Sequence, residues 1–254
     1  MSGHNKWSTI KHKKGAADAK RGKVFSRLAK EITLAARDGG GDVEMNPRLR
    51  SAVSAGKAVN MPNDNIDRAV KKGTGELAGG TLDELNYEGY APGGVAVIVQ
   101  ALSDNRNRTA AEVRNIFNKY NCNMASSGAV SWMFQRRARF LIEGEAANEE
   151  ALFELLLGND VDVEEINVED GVAEIIGTPE AFGDIVAALE GEGIEVSESS
   201  VTMIPETTTE ITDTGTARSV LKFIDVLEDD DDVQSVVSNL EISDELMEEL
   251  ANED

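Results

Sequence analysis

Cysteine occurs once, at Cys122, and histidine twice, at His4 and His12. A single cysteine excludes a disulfide framework, and no Cys/His set is available for a structural zinc ion. Both histidines fall near the start of the chain, which leaves no histidine in a folded cleft to serve as a general base. Aromatic residues make up 5% of the chain, and there are five prolines. Long apolar runs are missing: the longest strongly apolar stretch, residues 95–99, is far short of the about 20 residues that cross a bilayer. The opening MSGHNKWSTIKHKK is basic but has no apolar segment behind it, unlike an export signal. The expectation is a cytoplasmic protein with no membrane partner.

What is present is enough for folded domains. The 254 residues are 41% hydrophobic and 28% charged, which suits two or three domains, each with a core. Charge is distributed very unevenly. The net charge is −22, yet residues 1–75 hold 16 Lys/Arg against 7 Asp/Glu, while residues 140–254 hold 2 against 34. One end is cationic and the other anionic, which points to a nucleic-acid or membrane partner for the basic end.

Residues 1–15 are basic, lack apolar periodicity and read as an exposed arm. A helix follows to Arg37, with Val24, Phe25, Leu28, Ile32 and Ala35 on one side and Lys23, Arg27, Lys30 and Arg37 opposite. Gly39-Gly40-Gly41 ends it. Two more helices are predicted over residues 47–60 and from Pro62 to Lys72, the last stopped by Gly73 as a C′ residue. A glycine-rich linker covers 73–81. Strand, helix and strand then follow at 95–102, 107–121 and 129–134. Residues 139–204 read as β-α-β-β-α-β, with Asp170-Gly171 as the hairpin turn. A second β-α-β is expected at 207–212, 216–228 and 233–240. Joined to the first, it would complete another such unit. The predicted class is therefore α+β and multidomain, with an N-terminal three-helix domain and two ferredoxin-like (βαββαβ) domains, the third domain inserted into the second. The boundaries are 1–78 for a basic helical domain, 79–137 with 205–242 for a split α/β domain, 138–204 for an acidic insert, and 243–254 for an acidic helix or tail.

The strongest chemical feature is the basic surface made by Lys6, Lys11, His12, Lys13, Lys14, Lys20, Arg21, Lys23, Arg27 and Lys30. Clustered cations suit a phosphate backbone, and Trp7 among them offers a face for stacking on a base or ribose. Such contacts give affinity rather than a recognition sequence. A smaller cluster, Asn105-Arg106-Asn107-Arg108-Thr109, has two readings. It is either an anion site at a helix N-terminus, through Arg106 and Arg108, or a capped helix start with solvent-facing arginines. Arg136, Arg137 and Arg139 cross between domains and are equally open to pairing with the acidic third domain. Residues 229–232 are four consecutive aspartates, expected as a solvated, self-repelling loop rather than a metal site. Trp132 is expected in a core strand, and Cys122 as a packed thiol. No metal or cofactor is expected.

Catalytic motifs are absent. There is no P-loop, no strand-borne G-x-G-x-x-G, no H-E-x-x-H and no G-x-S-x-G. Ser103-Asp104-Asn105 spells S-D-N, and two S-x-x-K matches occur, but no K-T-G follows. Base readout of the RRM type is also excluded, because strand 95–99 carries no aromatics.

Several long segments resemble one family in order. They are GHNKWSTIKHKKGAADAKRGKVFSRLAKEI, NPRLRSAVSAGKAVNMPNDNIDRAVKKGTGE, YEGYAPGGVAVIVQALSDNRNRTAAEVR, SSGAVSWMF and IDVLEDDDDVQSVVSNLEI. Together they are similar to the YebC family over nearly the whole chain, to about Ile242. The resemblance implies a helical N-terminal domain, two α/β domains and no enzymatic activity. Many members are described as transcriptional regulators that bind DNA. Others, including the mitochondrial translational activator of cytochrome c oxidase subunit I, act on the ribosome and help synthesis of proline-rich stretches. Lys6 to Lys30 is the segment carried over as the nucleic-acid contact. The expected partner is DNA, ribosomal RNA or transfer RNA. The competing reading is a protein-interaction adaptor whose basic arm docks on an acidic protein surface.

Overall fold

The computed structural model describes residues 18–78, 80–169 and 171–253. The expected basic arm, with Lys6, Trp7, Lys11, His12, Lys13 and Lys14, lies outside the described residues. The chain divides into two compact units, one spanning Met133–Thr207 and the other holding the residues before and after it.

The larger unit opens with three helices: α1 (Asp18–Gly39), α2 (Pro47–Ala58) and α3 (Asn63–Gly73). Ile32, Ala35 and Ala36 of α1 meet Leu49, Ala52 and Val53 of α2 and Ile66 and Ala69 of α3 in one apolar cluster. Gly40 ends α1 at φ +86°, a conformation that favours glycine, and its N–H bonds the Ala36 carbonyl. Asn46 then joins two helices. Its Oδ1 accepts from the Leu49 N–H at the start of α2, and its Nδ2 donates to the carbonyls of Ala35 and Gly40. A single buried side chain thus satisfies orphan groups at a helix end and a helix start. Gly73 has a different job from the helix stop predicted for it. It is the last residue of α3, and a Cβ there would sit 2.3 Å from the Thr33 carbonyl oxygen and 2.7 Å from Ala36 Cβ. Glycine is needed for α1 and α3 to touch.

A four-stranded sheet completes this unit, with strands β1 (Asp83–Tyr90), β2 (Ala96–Ser103), β3 (Asn123–Ala125) and β9 (Val233–Ser238) in the order β3-β1-β2-β9. Helices α4 (Arg106–Lys119) and α7 (Thr214–Glu228) share a core with it. Phe117 of α4 and Phe223 of α7 meet edge to face at 4.9 Å. The order is that of a ferredoxin-like sheet, reached by another route. Strand β1 fills the place that the sequence assigned to residues 207–212. Only Thr209–Glu210 (β8) is extended there, and it pairs with β10 (Leu240–Glu241) in a separate ribbon. β1 escaped notice because DELNYEGY shows little apolar alternation, and its buried residues include a glutamate and a glycine, on opposite faces of the strand. Gly89 leaves room for the Phe117 ring, which a Cβ would approach to 2.3 Å. The last helix, α8 (Asp244–Glu253), is more than a tail, since Leu246, Met247 and Leu250 are buried in the same core.

The second unit matches its predicted order. Strand β4 (Phe134–Glu143), helix α5 (Glu149–Gly158), strands β5 (Glu165–Glu169) and β6 (Val172–Gly177), helix α6 (Phe182–Gly191) and strand β7 (Glu198–Pro205) form a sheet ordered β5-β6-β4-β7. The β5–β6 hairpin turns at Gly171, φ +76°. Phe140 stacks on Phe182 at 5.0 Å within a core of Ile142, Leu152, Leu156, Ile175 and Ile185. Arg139 is buried in the sheet between Glu174, at 2.6 Å, and Glu198, at 3.1 Å.

Replacement of Gly73 by alanine forces α1 and α3 apart. We expect a loss of about 2 kcal/mol, read as a lowered melting temperature, with the Gly75→Ala variant as a comparison for backbone strain at φ +82° without steric conflict.

Candidate functional site

Among the described residues, two of the candidate cations, Lys30 and Arg108, converge on one carboxylate. Strand β2 delivers Ser103, the first turns of α4 deliver Arg108 and Thr109, α1 delivers Lys30, and the acidic run between α7 and β9 delivers Asp232. Asparagine at 105 makes this possible, because its side chain accepts the Arg108 N–H and starts α4 immediately after the strand.

Asp232 is 5% exposed, and its carboxylate is met by four side-chain donors. Lys30 Nζ lies 2.7 Å from Oδ1, and Arg108 Nη2 lies 2.6 Å from Oδ2. The Ser103 and Thr109 hydroxyls, 2.7 Å apart, lie 3.0 and 2.7 Å from Oδ2. Burial on its own would raise the carboxyl, but the hydrogen bonds from Lys30, Arg108 and Thr109 outweigh it and hold the group far below the usual carboxylate range. Lys30 also donates to the carbonyls of Leu102, at 3.1 Å, and Asp231, at 2.8 Å. All three of its N–H donors are thereby used. Lys23, two turns earlier on α1, donates to the Asp229 carbonyl at 2.6 Å and stands 4.0 Å from Asp231. The run 229–232 was expected to be solvated along its whole length. Its last aspartate is instead buried, because α1 and α4 each supply a cation to it.

This arrangement sorts the sequence candidates. Lys23, Lys30 and Arg108 come together around the acidic run. Arg106 is exposed, with Asp83 3.9 Å away. Arg27 is half-buried, and its Nε has no hydrogen-bond partner among the described residues. Lys20 and Arg21 lie at the start of α1, and their side chains, like residues 6–14, fall outside the description. Lys71 and Lys72, which close α3 where the helix dipole favours cations, and Lys57 and Arg68, which sequence reasoning passed over, are exposed on α2 and α3 and pair with no carboxylate among the described residues. Ser103 of the S-D-N triplet is fully buried and serves Asp232.

A second buried carboxylate shapes the neighbouring loop. Glu88 of β1 accepts from the backbone N–H groups of Gly128, at 2.7 Å, Val130, at 2.7 Å, and Ser131, at 2.9 Å. Burial would raise its carboxyl, and those three bonds lower it below its ordinary value. Residues 129–134 are consequently not the strand the sequence suggested. Ser131–Met133 is a single 3₁₀ turn, and Trp132 is 70% exposed rather than core, its Nε1 donating to the Ala129 carbonyl at 3.0 Å. Burial pushes the Cys122 thiol up to about 11, which keeps it protonated near neutral pH.

Two outcomes follow. Asp232→Ala leaves Lys30 and Arg108 facing a hole, and the expected loss is about 3 kcal/mol, measured by denaturant unfolding. The pH dependence has a definite sign. Asp232 and Glu88 both titrate lower in the folded chain than in the unfolded one, so their contribution is complete above the unfolded values near about 4 and falls away as pH drops below them. Thermal melts should hold level from neutral pH to about 5 and then decline, with a shallower decline for Asp232→Asn.

Comparison with known proteins agrees over the full length. Residues 5–76 match the model of the TACO1/YebC protein N-terminal domain, and residues 82–240 match that of the TACO1/YebC second and third domain. A probable transcriptional regulatory protein of Syntrophus aciditrophicus is 50% identical over 252 residues, covering 99% of this chain and 100% of its own. One from Geobacter sulfurreducens is 53% identical over 250 residues, covering 98% and 100%. The crystal structure of a conserved hypothetical protein from Aquifex aeolicus superposes with a TM-score of 0.82 at 44% identity, covering 89% of this chain and 93% of that one. With both domain models matched in order and half of all residues shared with full-length relatives, the chain belongs to the TACO1/YebC family.

Proposed function

We propose that this protein is a non-enzymatic regulator of gene expression that binds nucleic acid by its phosphate backbone, through the basic N-terminal segment. The observation that carries the reading is the charge distribution: 16 Lys/Arg against 7 Asp/Glu in residues 1–75 of a chain whose net charge is −22. Cations gathered at one end of so acidic a molecule raise the local concentration of a polyanion there, while the remainder repels it. Lys6, Lys11, His12, Lys13, Lys14, Lys20 and Arg21 make the contact in this reading, with Trp7 as the stacking group and Lys57, Arg68, Lys71 and Lys72 as added cations. Lys23, Lys30 and Arg108 act indirectly. Their bonds to the acidic run hold α1 in place.

The names of the curated relatives favour a role in transcription, with DNA as the ligand. A backbone-directed grip on folded RNA at the ribosome uses the same chemistry, and the test separates the two. Binding of labelled duplex DNA and of a structured RNA is measured by fluorescence anisotropy across a salt series. With about six phosphates neutralised, log K falls against log salt with a slope of about −5 on duplex DNA. Lys13→Glu with Lys14→Glu should reduce affinity at least about tenfold without changing the circular dichroism spectrum. A flat salt response, or unchanged binding by the double variant, refutes the reading.

A further inference from the structure

Residues 133–207 contain 19 Asp/Glu, three arginines and no lysine. Arg139 is buried between two glutamates and Arg137 pairs with Glu164, so little positive charge offsets this surface. Nucleic acid and anionic lipid are both repelled by it.

The surface is not uniformly polar. Helix α5 turns Leu152 and Leu156 into the core, but the next positions, Phe153 and Leu157, are 53% and 63% exposed. Four residues apart, they stand one above the other on the same helix face. Strand β5 is the end strand of its sheet, so among the described residues one side of its backbone has no strand partner. Between α5 and β5 runs a shallow groove of about 360 Å³ floored by Phe153, Val163 and Ile166, and Glu149, Glu150 and Glu165 stand along it. On the same side of β5 as Ile166, Val168 is 38% exposed and extends the apolar strip. Sheet edges are ordinarily blunted by charge, and exposed aromatic and leucine side chains are ordinarily avoided. Here a rim of four glutamates, of which among the described residues Glu164 alone is paired with an arginine, Arg137, surrounds an apolar floor beside the end strand.

We infer that this groove docks a lysine- or arginine-rich polypeptide segment that carries a bulky apolar side chain. The apolar residue fills the space over Phe153, Val163 and Ile166, the cations meet Glu149, Glu150 and Glu165, and an extended backbone can add to the open side of β5. Charge complementarity selects the partner class, since acidic proteins, nucleic acids and anionic membranes are all rejected by the same rim.

The probe is a labelled, lysine-rich synthetic peptide of about twelve residues with two leucines at alternate positions, matched to the strand period. Its binding to the full chain is followed by anisotropy. Phe153→Ser with Leu157→Ser should weaken binding at least about tenfold, as should replacing both leucines of the peptide by glycine, which leaves the protein untouched. Glu149→Lys with Glu165→Lys should weaken it comparably. Glu190→Lys with Glu192→Lys, an equal change of charge away from the groove, should leave it within about twofold. The inference is overturned if the leucine-free peptide binds equally well, or if the two charge variants behave alike, because attraction is then bulk electrostatics. The substituted side chains at positions 153 and 157 are exposed, so melting temperatures should stay within about two degrees of the parent. The peptide-side substitution decides the matter if they do not. Failure of the nucleic-acid titration leaves this result unaffected.

Discussion

A carboxylate out of water must be satisfied or neutralised, and Asp232 is satisfied by four donors from three elements that are remote in sequence. Lys30 comes from the N-terminal helices, Ser103 from the central sheet and Arg108 with Thr109 from the helix that follows it. The cost of desolvating the ion is met only when all of these are in place, so the network is as much a constraint on assembly as a source of stability. It explains why the three-helix segment and the split sheet form one unit rather than two loosely tethered ones. It also gives the acidic run a purpose. Carboxylates that would repel one another in solvent are tolerable where α1 and α4 hold cations against them. The partial charges of the Asp229 and Asp231 carbonyls, bonded to Lys23 and Lys30, add to the same attraction.

Much of this architecture was legible in the sequence because it obeys local rules. The insert over Met133–Thr207 shows clear periodicities, an Asp-Gly hairpin signal and a helix after Pro179, so its β-α-β-β-α-β order could be read directly. The three N-terminal helices were equally plain. Strand β1 was not, because a central strand is expected to be apolar and this one carries Glu88, Gly89 and two tyrosines. Each departure has a partner distant in the chain. Glu88 is met by the backbone of residues 128–131, and Gly89 makes way for Phe117. Trp132 was misplaced for the same reason, since its apolar neighbours suggested a strand that the Glu88 carboxylate prevents.

The candidate site shows the same division. Composition located the basic end of the molecule. It could not say which cations face outward, because that depends on residues 200 positions away. Lys30 and Lys57 look alike in sequence, yet one is spent on Asp232 and two backbone carbonyls while the other stands free among the described residues. The signal that could have separated them was the acidic run itself. Four adjacent aspartates beside a buried strand need counter-charges, and an amphipathic helix with lysines on its outer face is an obvious source.

The way the chain enters and leaves the insert has a consequence for its history. Phe134 and Pro205 are paired residues on adjacent antiparallel strands, so the two crossing points are separated by only about 5 Å. A gap that small is spanned by a tight turn, and the host sheet would require no lengthening or rerouting to lose the whole module or to accept a different one. The acidic module is thus a detachable cassette, free to diversify its surface while the lysine-bearing unit that hosts it keeps its own fold.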